Sequence, residues 1–171
     1  MCDRIASAFM QPLFDVAVTI PTRKLGDRGV AIGDVCGRVD YVKPGGATLF
    51  DRGVYTPEAL RKEYLRRVAP DDHDEQVAEG YLKGISDEAP SVISLNMRAA
   101  STCVMEFIAR CYPFRHEPNG MWARTMFSLA VSEEIYEHEE TFERSANPYV
   151  GRGLQEPLLG MPCFATRGEV K

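Results

Sequence analysis

The chain predicts an α/β fold, and three observations carry that prediction. Residues 90–111, PSVISLNMRAASTCVMEFIARC, place apolar side chains at helical spacing without a break. Four shorter segments, 13–20, 30–35, 37–42 and 122–131, read as strands. Glycine and proline punctuate the chain between these segments.

The elements follow in order. Residues 3–10 read as the last turns of a helix. Leu13 to Ile20 alternates loosely and stops at Pro21. TRKLGDRG reads as a hairpin tip carrying Gly26 and Gly29. Val30–Val35 and Gly37–Val42 are expected to be antiparallel neighbours, with Pro44-Gly45-Gly46 breaking the pattern after them. Thr56-Pro57-Glu58 is a helix start: a hydroxyl N-cap, proline at the first helical position and an acid in the first turn. That helix is expected to run to about Val68, ahead of Pro70. A short helix over 75–82 precedes the long one. Asn119-Gly120 marks a hairpin-like turn, Trp122–Val131 a strand, and the acidic run 133–144 a short helix or a loop. Beyond Asn147-Pro148 the chain reads as an extended tail.

The long helix presents two apolar rows. One holds Val92, Leu95, Ala99, Cys103 and Phe107; the other holds Ile93, Met97, Ala100, Val104, Ile108 and Cys111. Ser94, Arg98, Ser101, Thr102, Glu106 and Arg110 form the polar stripe. So wide an apolar surface predicts a helix buried from more than one side, against a sheet and a second subunit.

Composition bounds the function. A chain of 171 residues, 44% hydrophobic, fits a single domain with one core. A net charge of −5 argues against a general nucleic-acid binder, which would present a basic face. Five cysteines, at 2, 36, 103, 111 and 163, have no paired spacing that reads as a disulfide framework, and a reduced cytoplasmic setting is expected. No run approaches the length of a membrane span. The acidic stretch 70–79, with Asp71, Asp72, His73 and Asp74, lacks metal-ligand spacing and reads as a solvated segment. His73, His116 and His138 read as surface histidines, and Arg61, Arg66 and Arg67 as a solvated helix face. Gly151-Arg152-Gly153 reads as a turn.

Several of these segments, taken together, resemble the ThiF/MoeB/HesA family, the bacterial relatives of ubiquitin-activating enzymes. PLFDVAV at 12–18 is similar to a family strand, and GRVDYVKPGGATLFDRG at 37–53 to the segment GRV-x-x-x-x-PG-x-x-CL-x-C-x-G. TPEALRKEYLRR at 56–67 falls where the family enters its crossover loop, about 52–89 here, and PSVISLNMRAAS re-enters the fold. VGRG and EPLLGMP follow in the tail. The resemblance covers about residues 10–163 and implies the C-terminal portion of a Rossmann-like domain, with a mixed sheet packed against the buried helix at about 90–111. It implies ATP and magnesium as cofactors and adenylation of the C-terminal carboxylate of a ubiquitin-like or sulfur-carrier protein. It also implies that Tyr55, Tyr64 and Tyr81 line the path of that protein's tail.

The departures matter equally. The family's nucleotide loop, G-x-G-G-x-G after a first strand, has no counterpart in the sequence, and Asp3 and Asp15 do not stand where the family holds ATP-magnesium. Many members bind zinc with two C-x-x-C pairs; the first pair falls at Thr48 and Asp51, and the region of the second, around 135–145, contains no cysteine. These replacements argue against zinc. Residues 37–102 contain no cysteine to form a thioester, and Cys103 and Cys111 on the apolar rows read as buried structural residues. The chain is therefore expected to be inactive alone, with no catalytic residue of its own. It is expected to be part of an adenylating enzyme whose N-terminal half was lost, split off or encoded separately, or a degenerate module for dimerisation or protein binding, or a small binding protein that shares the fold alone. Homo-oligomerisation, or union with the missing half, is the partner expected. A large apolar surface would favour either of the first two readings and a closed core the third.

Overall fold

The computed structural model describes residues 2–24, 29–69 and 92–145. The chain divides into two compact units, Met1–Arg52 with Pro90–Lys171, and Gly53–Ala89.

The larger unit opens with helix α1 (Cys2–Ala8) and strand β1 (Leu13–Thr19). Strands β2 (Thr22–Lys24) and β3 (Val30–Ile32) form a two-stranded ribbon. Strand β4 (Cys36–Val42) follows, and after the smaller unit come helix α3 (Ile93–Cys111), a 3-10 turn at Asn119–Met121, β5 (Arg124–Ser128), β6 (Glu133–Glu137) and a 3-10 turn at Glu139–Thr141. Four strands make one sheet in the order β1-β4-β5-β6.

Helices and strands are mixed as expected, but every strand pairing among the described residues is antiparallel, where an α/β fold with a mixed sheet is expected. For β5 and β6 the connection explains it: parallel neighbours need crossovers of about a dozen residues or more, whereas these two strands are joined by only the segment 129–132. Val30–Val35 and Gly37–Val42 are not neighbours either: β3 pairs with β2 and β4 pairs with β1. The segment between them leaves the ladder at Gly33, whose N–H donates to Pro21 O at 2.7 Å. The strand expected over 122–131 is limited to Arg124–Ser128, because Ser132 turns the chain back with a left-handed φ of 55°. The acidic run 133–144 supplies strand β6 and a 3-10 turn rather than an α-helix or a plain loop.

The register sorts the sheet's side chains by face. Phe14, Val16, Val18, Val39, Thr125 and Phe127 share the face that α3 covers; Asp15, Ala17, Arg38, Asp40, Met126 and Ile135 share the other. The core lies under α3, where Leu95 and Ala99 meet Phe127 and Ile20, with Val18 and Val35 packed against them. Gly37 is required here: a Cβ would run into the Phe127 ring directly across the ladder.

In the smaller unit, helix α2 (Pro57–Val68) starts as its sequence predicts, with Thr56 Oγ1 accepting from Ala59 N at 3.1 Å. None of its residues is buried, and Arg61, Arg66 and Arg67 are exposed. The short helix expected over 75–82, with the acidic stretch and His73, and the tail beyond residue 145 lie outside the described residues.

Candidate functional site

Helix α3 forms where the sequence places it, but it is buried on one side only. Its buried positions are Leu95, Ala99, Glu106 and Ala109. Glu106, expected on the outer polar stripe, faces inward. It accepts from Arg110 at 2.6 Å and from Arg115, which leaves its carboxylate paired although 4% exposed. The two arginines of that stripe close over aromatic rings, Arg98 at 4.3 Å from the Phe127 centroid and Arg110 at 3.8 Å from that of Tyr41. With the polar stripe turned partly inward, the second apolar row points out, and Phe107 of the first row turns out with it. Ile93 is 76%, Met97 66%, Val104 55% and Phe107 53% exposed. Cys111 is exposed as well, and Cys103 half-buried, so neither is the fully buried cysteine expected.

This outer row continues onto the sheet edge. The Phe107 ring stands edge-on to Phe14 of β1 at 6.1 Å, and Val16 of β1 is 42% exposed on the same face. Among the described residues, β1 has β4 on one side and no strand on the other. Exposed apolar side chains of α3 and of this strand therefore stand side by side at Phe107 and Phe14. A periodicity argument finds both apolar rows but cannot tell which one the sheet takes.

The opposite face carries a cleft of about 410 Å³, lined among the described residues by Ala17, Cys36, Arg38, Met126, Ser128 and Ile135 with their neighbours. Burial, together with the hydrogen bond to Asp34 and its negative charge, pushes the Cys36 thiol up to about 11. The same hydrogen bond, with others from Val35 N, Ser128 and Ala130 N, outweighs the effect of burial and lowers Asp34 to about 2. Burial and then Glu106 raise Cys103 too.

Behind the charged end of this face, the loop 46–52 is held from all sides. Arg52, its side chain fully buried, donates to Asp40 at 3.1 Å, to Glu139 at 2.9 Å, and to the carbonyls of Ala47, Tyr41 and Ala123. Asp40 is also paired with Arg124 at 2.9 Å and Arg38 at 2.7 Å. Sequence reasoning passes over Asp40 and Arg52, whose only signal is a charge within an apolar strand and an arginine before a glycine.

The glycine pair at 45–46 does not form a phosphate cradle. Gly45-Gly46 follows a strand but leads into this loop, not into a helix N-terminus. The amides of this loop are taken: Ala47 N donates to Glu139, and Leu49 N and Phe50 N to the buried Asp3. Asp15 is paired with Arg38 at 2.7 Å.

Thr48 and Asp51 lie side by side in the same loop. Asp51 Oδ2 accepts from Thr48 N at 2.9 Å and Thr48 Oγ1 at 3.0 Å, while Oδ1 accepts from Ser145 N at 2.9 Å and from Ser145 Oγ. Burial raises the Asp51 carboxyl, but the hydrogen bonds from Ser145 and Thr48 outweigh it and hold it below its ordinary value. Of the tyrosines, Tyr55 is half-buried ahead of α2, Tyr64 is 67% exposed on it, and Tyr81 lies outside the described residues. His116 and His138 are exposed. Among the described residues no cluster of three or more His, Cys, Asp or Glu could hold a metal, and no helix is long and apolar enough to cross a membrane. Comparison with family models, with curated proteins and with solved structures returns no match.

Proposed function

We propose that the chain is the C-terminal portion of a ThiF-type, Rossmann-related adenylating domain, and that it serves as the non-catalytic part of an enzyme activating the C-terminal carboxylate of a ubiquitin-like or sulfur-carrier protein. The observation that carries this reading is the apolar surface of α3 running onto the open edge of β1. A finished monomer rarely exposes an apolar patch of more than a few hundred Å² or leaves a flat apolar edge unguarded. A nucleotide-binding half that adds a strand to β1 and packs on Ile93, Met97, Val104 and Phe107 would cover both at once.

Two further observations support it. The compact unit Gly53–Ala89 coincides with the segment that resembles the crossover loop. The two regions where the family brings its zinc ligands, 48–51 and 135–145, meet at Asp51 and Ser145, although these are 94 residues apart. In this reading ATP and magnesium belong to the other half, Tyr55, Tyr64 and Tyr81 line the path of the acceptor tail, and this chain supplies position rather than chemistry.

The test is calorimetric titration of the purified chain with ATP-magnesium, beside pyrophosphate exchange into ATP by the assembly recovered on the tagged chain. No heat from the chain and exchange by the assembly is the expected result. Saturable nucleotide binding by the chain alone, or an assembly without exchange, would overturn the reading.

The exposed area also favours a second reading, a degenerate dimerisation module. Stable interfaces bury about 800 Å² per partner, and the large half-exposed apolar residues on and beyond α3, extending to Tyr112 and Phe114, supply area of that order. A defined homodimer in solution, with no nucleotide-binding partner, would select it.

A further inference from the structure

We infer that Asp51 closes a metal-free clip that does the work of a structural zinc, fastening the loop 46–52 to the chain that leaves the sheet after β6. A structural zinc joins distant segments through four tetrahedral ligands, mostly thiolate sulfur and imidazole nitrogen. Thr48, Asp51 and Ser145 do not fit that ion: two are neutral hydroxyls, and both oxygens of the carboxylate between them already accept protein donors. The same three side chains fit a hydrogen-bonded joint. A carboxylate has about four acceptor positions. Thr48 fills two with its N–H and hydroxyl, and Ser145 fills two with its own. Thr48 Oγ1 in turn accepts from Asp51 N at 3.2 Å, which locks the turn 48–51 in the shape that aims Oδ1 at Ser145. Thr48 is 1% exposed, so water competes poorly for these bonds.

The clip is also placed to matter. Arg52, the next residue, ties the same loop to Glu139, and Glu139 reaches back to Ala47 N, so the loop and the stretch 139–145 are joined at two points. Only the equation with zinc rests on the ThiF reading; the clip stands on its hydrogen bonds and can be tested whether or not that reading survives.

The test is amide hydrogen exchange at Thr48 and Ser145 in the full chain, with Asp51→Asn and the milder Ser145→Ala beside the parent, and thermal unfolding with and without a strong chelator. Asp51→Asn sets an amide NH₂ against donors. It should speed exchange at both amides about tenfold or more, while Ser145→Ala, which keeps its N–H, should speed it severalfold at Ser145 alone. The chelator should leave the parent's midpoint unmoved. Unchanged exchange in Asp51→Asn, or a parent midpoint lowered by the chelator with one zinc per chain by mass spectrometry, would overturn the clip.

Discussion

The two edges of the sheet are built differently. Strand β6 reads EEIYE: Glu133 and Glu134 are exposed, and Glu137 pairs with Arg124. Strand β1 reads LFDVAVT, with Asp15 as its one charge, and that charge is neutralised by Arg38. Natural sheets blunt their free edges with charge because an unpaired row of N–H and C=O groups invites another strand. The β6 edge is finished in this way and the β1 edge is not. The helix repeats the contrast, since α3 leaves its most apolar row on the β1 side of the molecule through Phe107 and Phe14. In the function proposed above, the β1 edge is the one that the partner covers.

Both edges hang from one frame, and breaking that frame should have the largest effect. Arg52→Met takes one of three arginines from Asp40, takes the cation from Glu139, leaves the carbonyls of Ala47, Tyr41 and Ala123 without its guanidinium, and unties the loop 46–52. Removing one partner of a buried ion pair costs about 3–5 kcal/mol. We expect Arg52→Met to lower stability by that amount in urea titration, erasing both edges together. A loss under about 1 kcal/mol, the range of an exposed pair, would show that the frame does not depend on this arginine.

Charging the β1 side should come next. Val104→Lys with Phe107→Lys places two cations on the outer row, where both residues are more than half exposed. Stability should change little, because surface positions usually contribute within about 0.5 kcal/mol. The assembly recovered on the chain, or its homodimer, should be lost in sedimentation. Survival of the assembly would separate the exposed row from its supposed use. The converse change sharpens the comparison with a smaller effect: Glu133→Val with Glu134→Val makes β6 resemble β1 and should add weak, concentration-dependent self-association. A double variant that stays at the parent's mass would mean that charge is not what guards that edge.

Much of this frame was legible in the sequence. The starts of β1 and α2 follow from Pro, Thr and alternation, and α3 from its spacing. Three features were not. Strand β6 hides because three of its five residues are glutamate, and only its pairing with β5, with Tyr136 against Trp122 at 4.0 Å, makes it a strand. The rotation of α3 hides because Glu106 is satisfied by Arg110 one turn on and Arg115 beyond the helix, partners that a polar stripe does not announce. The Asp51–Ser145 contact hides because nothing local links residues 94 apart, although the position of Thr48 and Asp51 was readable.

The smallest effect concerns the interior strand between the two edges. Cys36 and Asp34 share a hydrogen bond whose two ends respond to pH in opposite directions. Cys36 is raised from 9.0 to about 11, so its contribution to stability is complete below pH 9 and lost as pH rises toward 11. Asp34 is lowered from 3.8 to about 2, so its contribution is present above pH 3.8 and lost as pH falls through 2. Alkylation of the folded chain at pH 8, followed residue by residue by mass spectrometry, should modify exposed Cys111 well before Cys36. Asp34→Asn should narrow that gap severalfold by removing the negative charge beside the thiol. The unfolding midpoint should also fall between pH 9 and 11 in the parent and fall less in Cys36→Ala. If Cys36 reacts as fast as Cys111, the thiol is ionised or open to solvent, and the cleft beside β1 would have to be considered as a site of chemistry rather than only a face of the frame.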